Sequence, residues 1–472
     1  MTISNALLTK ASQSFRRWVL RRLVFVRRFS RYRHSDIALL INAAMIGVVV
    51  GGIVVVFHLT TEWSERVFRV LLTQAEITIP IRILAIPIVC GFGGLCVGFL
   101  NATLFKNVEG EGIPTVTYAV HRHHGFLDWR LTAKAILTAA FSIGSGGGAG
   151  REGPTVLLGA SLGSSGAQLL QLGSVQRQLL CVAGTAAAIS GIFNAPLGGI
   201  VFALEVIWGE LSARSFIPIV IASVLATATA RIFMGNSPMI IAPPLADIRL
   251  QDYFLMALLG IACGATGLYF LKTYHWCFRK TQQLFIPIHP TLRPALGGVL
   301  IGLILVALPT MLETTYTPIN QAIQGKGTLW IALATVLVKP VSNAITLGSG
   351  GAGGTFAPVM KVGAMLGLCF GLTLNLVFPN TPIGLYALVG AGALIGSTFS
   401  APLAGAIILF EISRNYTVLL PLLFASVFAH FIVHRTGIST FNPLALSQTN
   451  VTTNMTKDKS HSRSNVNTDE TP

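Results

Sequence analysis

The sequence predicts an all-α protein that crosses a membrane many times. Three observations carry that expectation. Of the 472 residues, 52% are hydrophobic and only 11% charged, where an ordinary soluble domain has about 25% charged residues. The mean hydropathy is +0.69. Apolar stretches long enough to span a hydrocarbon core of about 30 Å recur along the chain, beginning with Ile37–Leu59 and Ile83–Phe105.

The formal net charge is +16, yet it does not call for nucleic acid. Nine of the basic residues fall within positions 1–34, where there is no Asp or Glu. There the stretch FRRWVLRRLVFVRRFSRYRH alternates Arg pairs with aromatic and aliphatic residues. It reads as a basic helix over 1–36, lying on the cytoplasmic membrane surface by the positive-inside rule. A mitochondrial transit peptide is the weaker reading. The six cysteines, Cys90, Cys96, Cys181, Cys263, Cys277 and Cys369, lie scattered in apolar sequence and suggest neither a disulfide framework nor a metal site.

Along the chain, a first membrane unit is expected over 37–236. Within it Glu109-Gly110-Glu111-Gly112-Ile113-Pro114 is a polar, glycine-bracketed approach to a short helix. A histidine-bearing loop follows (His121, His123, His124), read as solvated rather than metal-binding. Several later helices are too short for a full span, Pro196–Trp208 among them. Short, glycine-interrupted helices suggest broken helices that end at a buried site, where their termini can bind an ion. Residues 237–251 form a proline-containing connector. A second unit is expected over 252–446, with spans near Tyr253–Lys272 and Ala295–Leu308 and a polar loop over Glu313–Gly327. Residues 447–472 read as a polar, disordered tail.

One short motif stands apart from this apolar background. Arg151 and Glu152 are the only Asp, Glu, Lys or Arg residues between Lys134 and Arg177, inside Gly150-Arg151-Glu152-Gly153-Pro154. A charge within a membrane segment costs at least ~2.5 kcal/mol on insertion scales and marks a functional site by default. The preceding glycine run lets backbone approach something closely. Pro154 suits the first turn of a helix, whose positive end points back at the motif. That is an anion-binding arrangement, with a carboxylate already in it. A purely structural Arg–Glu pair is the rival reading.

The two units repeat each other. GREGP-TVLLGASLG (150–163) aligns with GTFAP-VMKVGAMLG (354–367) at an offset of 204, and FNAPLGGIVFALE (193–205) with FSAPLAGAIILFE (399–411) at 206. A duplicated membrane bundle with broken helices places its site at the repeat interface, near the midplane. The spacings Gly159/Gly163 and Gly363/Gly367 let helices approach closely.

On these motifs the chain resembles the ClC chloride channel and transporter family. GREGP is that family's most diagnostic motif, Gly112-Ile113-Pro114 matches the end of its GSGIP, and Gly353-Gly354-Thr355-Phe356-Ala357-Pro358 matches its GGxFxP. The resemblance runs from about residue 37 to 445 and is nearest to the channel-like bacterial members. It implies two inverted-topology repeats of about nine helical segments each, and a homodimer with one pore per subunit in a bacterial inner membrane, both termini cytoplasmic. It makes Glu152 the gating glutamate and chloride or a similar small anion the substrate. Anion-binding positions carried over are Glu111, Gly112, Ile113, Arg151, Glu152, Gly153, Thr355, Phe356, Ala357 and Phe441. Helix ends near Glu111, Glu152 and Thr355 would hold an anion without trapping it, as conduction requires.

Three positions depart from the family pattern. Glu111 replaces the serine of GSGIP; its carboxylate turns away, is protonated, or alters the site. Val206 stands where the exchangers carry their internal proton-transfer glutamate. Phe441 stands where a pore tyrosine is expected and has no hydroxyl to donate. The expected function is therefore passive anion conduction, favoured by acid that neutralises Glu152, with a role as an electrical shunt during acid stress. A proton-coupled chloride exchanger is the alternative. A membrane enzyme or an organic-anion permease would need a catalytic cluster or a larger site than the sequence offers, and no cofactor, metal or nucleic acid is expected.

Overall fold

The computed structural model describes residues 36–73, 79–209, 213–237, 240, 250–308 and 316–441. All but the last residue of the basic stretch expected over 1–36, most of the 237–251 connector and the 447–472 tail lie outside the described residues.

Sixteen α-helices make up the described chain, eight in each half. The first half holds α1 (Asp36–Thr73), α2 (Ile79–Thr103), α3 (Gly112–Arg122), α4 (Arg130–Gly144), α5 (Glu152–Leu169), α6 (Ser174–Phe193), α7 (Pro196–Phe202) and α8 (Ala213–Met234). The second holds α9 (Leu250–Phe285), α10 (Arg293–Ala307), α11 (Thr317–Ile323), α12 (Leu329–Gly348), α13 (Phe356–Val377), α14 (Ile383–Thr398), α15 (Pro402–Ser413) and α16 (Leu419–Arg435). With the π-helical turn Ala203–Trp208 and the 3-10 turn Tyr416–Val418, each half has nine helical segments among the described residues, as expected. Seven of these helices (α1, α2, α8, α9, α12, α13 and α16) are long and apolar enough to cross a bilayer.

The packing repeats with the sequence. α5 lies on α6 as α13 lies on α14, and α1 on α8 as α9 on α16; α2 meets its counterpart α10, and α7 its counterpart α15. These are the contacts of two halves that repeat one packing and meet through their counterpart helices. The small-residue spacing has its expected effect: a Cβ on Gly163 would sit 2.0 Å from the Leu180 carbonyl, and one on Gly367 2.0 Å from that of Tyr386. No larger residue fits either crossing.

Broken helices occur where short ones were expected. α7 and α15 each begin with proline at the first position, where the missing N–H costs little. α7 continues as a π-helical turn, Ala203–Trp208, a feature often found at functional sites. The sequence reading missed one element. Within the stretch taken as a polar loop over 313–327, residues 317–323 form α11, the counterpart of α3.

Candidate functional site

The site begins with two glycine loops that cross. Gly150 donates its N–H to the Gly354 carbonyl and Gly354 donates its own to Gly150, both at 2.8 Å, in an antiparallel bridge on the axis between the halves. The fully buried Asn343 reaches the carbonyls of Gly148 at 3.4 Å and Gly354 at 3.3 Å. A Cβ on Gly153 would lie 2.8 Å from the Gly354 Cα. What the glycine run approaches is therefore the matching loop of the other half. The crossing brings the N-termini of α5 and α13 together.

Glu152 sits at this crossing, 1% exposed. Its Oε2 accepts the Ala357 N–H at 3.2 Å, at the start of α13. Its Oε1 accepts the Tyr316 hydroxyl at 2.5 Å. Tyr316 directly precedes α11, and its ring lies edge-on to Phe193 with centroids 6.2 Å apart. Sequence reasoning did not single out Tyr316, although a signal existed: the repeat offset of 204 carries Gly112 onto it.

Arg151 goes elsewhere. Its Nη2 donates to Glu65 on α1 at 2.7 Å, both side chains 8% exposed, and its Nη1 lies 3.4 Å from His58 Nδ1. His58 in turn meets Glu62, and Glu62 meets Arg66. The Arg–Glu pair of the rival reading exists, but with Glu65 rather than Glu152. The Arg151 side chain is thereby held by α1. A membrane-embedded guanidinium needs a carboxylate, and Glu65 supplies it.

Below the crossing lies a cavity of about 960 Å³. Glu111, Gly112, Ile113, Gly153, Thr355 and Phe441 all line it, so six of the predicted positions converge there. Gly112 adopts φ +60°, and a Cβ on it would be 3.7 Å from the Gly153 Cα. This turn starts α3 against the start of α5. Glu111 caps α3 with extended backbone and is exposed to the cavity; no ion pair among the described residues involves it. Lys134, nearby, donates to the Val108 carbonyl at 2.8 Å instead.

Phe356 is 1% exposed and does not open on the cavity. Its ring packs against Phe193, Phe202 and Phe399, with centroids 5.5 to 6.0 Å away. Phe441 is held by its N–H on the Thr398 carbonyl at 3.0 Å. Tyr274 meets its ring edge-on at 5.0 Å and brings a phenol to the same wall, a second residue the sequence reading passed over.

Val206 lies fully buried in the π-helical turn. Its neighbour Glu205 caps α15 by accepting the N–H groups of Leu403 at 3.3 Å and Ala404 at 2.6 Å. Glu411 does the same for α7, accepting from Leu197 at 3.2 Å and Gly198 at 2.7 Å. This repeated pair thus caps reciprocally across the halves. His121 bonds the Ile207 carbonyl at 2.8 Å, and among the described residues no group of three or more His, Cys, Asp or Glu is placed to hold a metal.

The arrangement is a sealed carboxylate on two donors, flanked by a cavity that ends at three helix starts. Comparison with known proteins gives the family. A family model described as voltage gated chloride channel matches residues 93–434. A putative ClcB-like chloride channel protein of Ralstonia nicotianae is 31% identical over 367 residues, 75% of this chain and 84% of that one. An H(+)/Cl(-) exchange transporter, ClcA of Salmonella typhi, is 28% identical over 420 residues, 86% and 87%. Among solved structures, a slow cyanobacterial Cl-/H+ antiporter has a TM-score of 0.74 at 23% identity, covering 87% of this chain and 97% of that one. A CLC-type fluoride/proton antiporter has 0.69 at 23% identity, covering 84% and 95%.

Proposed function

This chain belongs to the voltage gated chloride channel family, and on that premise we propose that it passes chloride passively down its gradient, with Glu152 as the gate. The observation that carries the proposal is the seat of Glu152. Its carboxylate occupies donors at the sealed end of the cavity, where a permeating anion would otherwise sit. Acid that neutralises the carboxylate weakens its hold on those donors and admits the anion. Such a path would shunt charge during acid stress.

Passive movement is favoured by Val206. Strict coupling needs a protonatable relay from the cavity side, and this position is buried hydrocarbon. The neighbouring Glu205 is committed to capping α15. The protein works as a homodimer in a bacterial inner membrane, one path per subunit, both termini cytoplasmic. Exposed apolar side chains on α7, α8, α15 and α16, such as Leu197, Ile217, Leu403 and Val427, suit lipid or a second copy.

The alternative, exchange of chloride for protons, is favoured by Glu111. It is a carboxylate in the cavity, on a segment that touches Gly153, and it could load protons from that side. A reversal potential in liposomes separates the two. With the chloride gradient fixed, a transmembrane pH gradient leaves the potential of a passive path unmoved. A shift toward the proton equilibrium potential overturns the passive reading and establishes exchange.

A further inference from the structure

The hydroxyl of Tyr316 does more than the passive reading requires of a residue beside the gate. The two carboxylate oxygens of Glu152 are divided between two donors, Oε1 to the Tyr316 phenol at 2.5 Å and Oε2 to the Ala357 N–H at 3.2 Å. Neither donor belongs to α5. Both come from the second half, and both remain when the carboxylate leaves. The cavity stops short of Tyr316 and Glu152, and Glu152 is 1% exposed. The seat is therefore dry, and hydrogen bonds to a charged group are strong there.

The phenol is also fixed in place. Phe193 holds the ring edge-on, and the short helix that follows, α11, packs on α13 and α14. α13 is the helix that carries the Ala357 N–H, so the two donors are borne by elements in contact. A carboxylate oxygen and a small monovalent anion ask the same thing of such a pair: two convergent donors and exclusion of water.

We infer that Tyr316 is a specificity-determining anion ligand: with Ala357 N–H it forms a two-donor seat that holds the Glu152 carboxylate when the path is closed and a permeating halide or nitrate when it is open. This rests on the gate reading of Glu152 but adds a ligand to it. It also ties gating to selectivity, because the same hydroxyl serves both occupants. Other charged or titratable groups around Glu152 are Arg151 on its own segment, and behind that Glu65 and His58 on α1. None of these donates to the carboxylate among the described contacts, so a change confined to the phenol is readable.

The test uses four full-length proteins in detergent and in liposomes: wild type, Tyr316→Phe, Glu152→Ala and the double variant. Chloride affinity is read by calorimetry, and the chloride-to-nitrate flux ratio and pH profile in liposomes. In the Glu152→Ala background, removing the hydroxyl weakens chloride binding about tenfold, the effect expected of one hydrogen bond to a charged group, and changes the chloride-to-nitrate ratio. In the wild-type background it moves acid activation toward neutral pH, since the ionised carboxylate has lost a donor. A residue that only packs, or only latches Glu152, leaves affinity and ratio in the Glu152→Ala background unmoved, and that result overturns the inference. If the double variant does not fold, Tyr316→Phe alone is measured at acid pH, where Glu152 is neutral; unchanged affinity there overturns it equally. A Glu152→Ala protein that keeps its full pH response refutes the gate reading instead, a separate outcome.

Discussion

Glu205 and Glu411 offer the sharpest check on the frame that holds the site. Each carboxylate accepts two backbone N–H groups at the start of a helix in the opposite half. Replacing Glu205 with Ala leaves Leu403 and Ala404 without acceptors and removes a negative charge from the positive end of α15. An N-cap is worth about 1 kcal/mol, and hydrogen bonds to a charged group reach about 1.5–3 kcal/mol. Glu205 is half-buried, so screening keeps the sum near the lower values, about 1–3 kcal/mol in all. The expected result is a fall of a few degrees in melting temperature in detergent. Glu411→Ala should lose a similar amount, and Glu205→Gln less, because it keeps a carbonyl acceptor. Chloride flux per folded molecule should stay close to wild type. Two outcomes would refute this reasoning. If Glu205→Ala is as stable as wild type, the caps are not what keeps the pair. If it is stable but changes proton movement, Glu205 is a proton carrier, and the passive reading is refuted.

The remaining predictions concern the site directly. Glu152→Gln should keep chloride flux in liposomes while losing most of its dependence on pH; a folded but inactive variant would remove Glu152 from the gate. Glu111→Ser should tighten chloride binding by calorimetry roughly five- to tenfold, because two unit charges a few ångströms apart near a wet surface repel by on the order of 1 kcal/mol; unchanged affinity would place the anion out of reach of Glu111. Arg151→Gln should cost about 3–5 kcal/mol in unfolding measurements, since the buried Glu65 loses its guanidinium; a variant of wild-type stability would show that Glu65 is held by its other contacts.

Much of the fold was legible because the physics is local or repetitive. Membrane spans follow from runs of apolar residues, broken helices from Pro196 and Pro402, and the duplicated halves from two aligned stretches. The position of Glu152 was legible because a lone carboxylate among glycines in apolar sequence has few other uses. What escaped depends on distance along the chain. Arg151 meets a carboxylate 86 residues away, and nothing local distinguishes Glu65 from Glu152 as its partner. Tyr316 acts across 164 residues from a stretch that reads as a polar loop, because α11 is too short to show a period.

The repeat supplies the rule that would have found it. Positions that hold the frame keep their chemistry under the repeat: Gly150 with Gly354 in the bridge, Glu205 with Glu411 in the caps. Positions at the proposed gate do not: Glu152 falls on Phe356, Arg151 on Thr355 and Gly112 on Tyr316. A symmetric frame cannot by itself distinguish the two faces of a membrane, so a gate that responds to one face must come from side chains that break the symmetry. At the crossing, two residues from different broken pairs meet, Tyr316 donating to Glu152. Glu152 supplies the charge, and Tyr316, standing where the other half has Gly112, supplies a hydroxyl that a glycine could not.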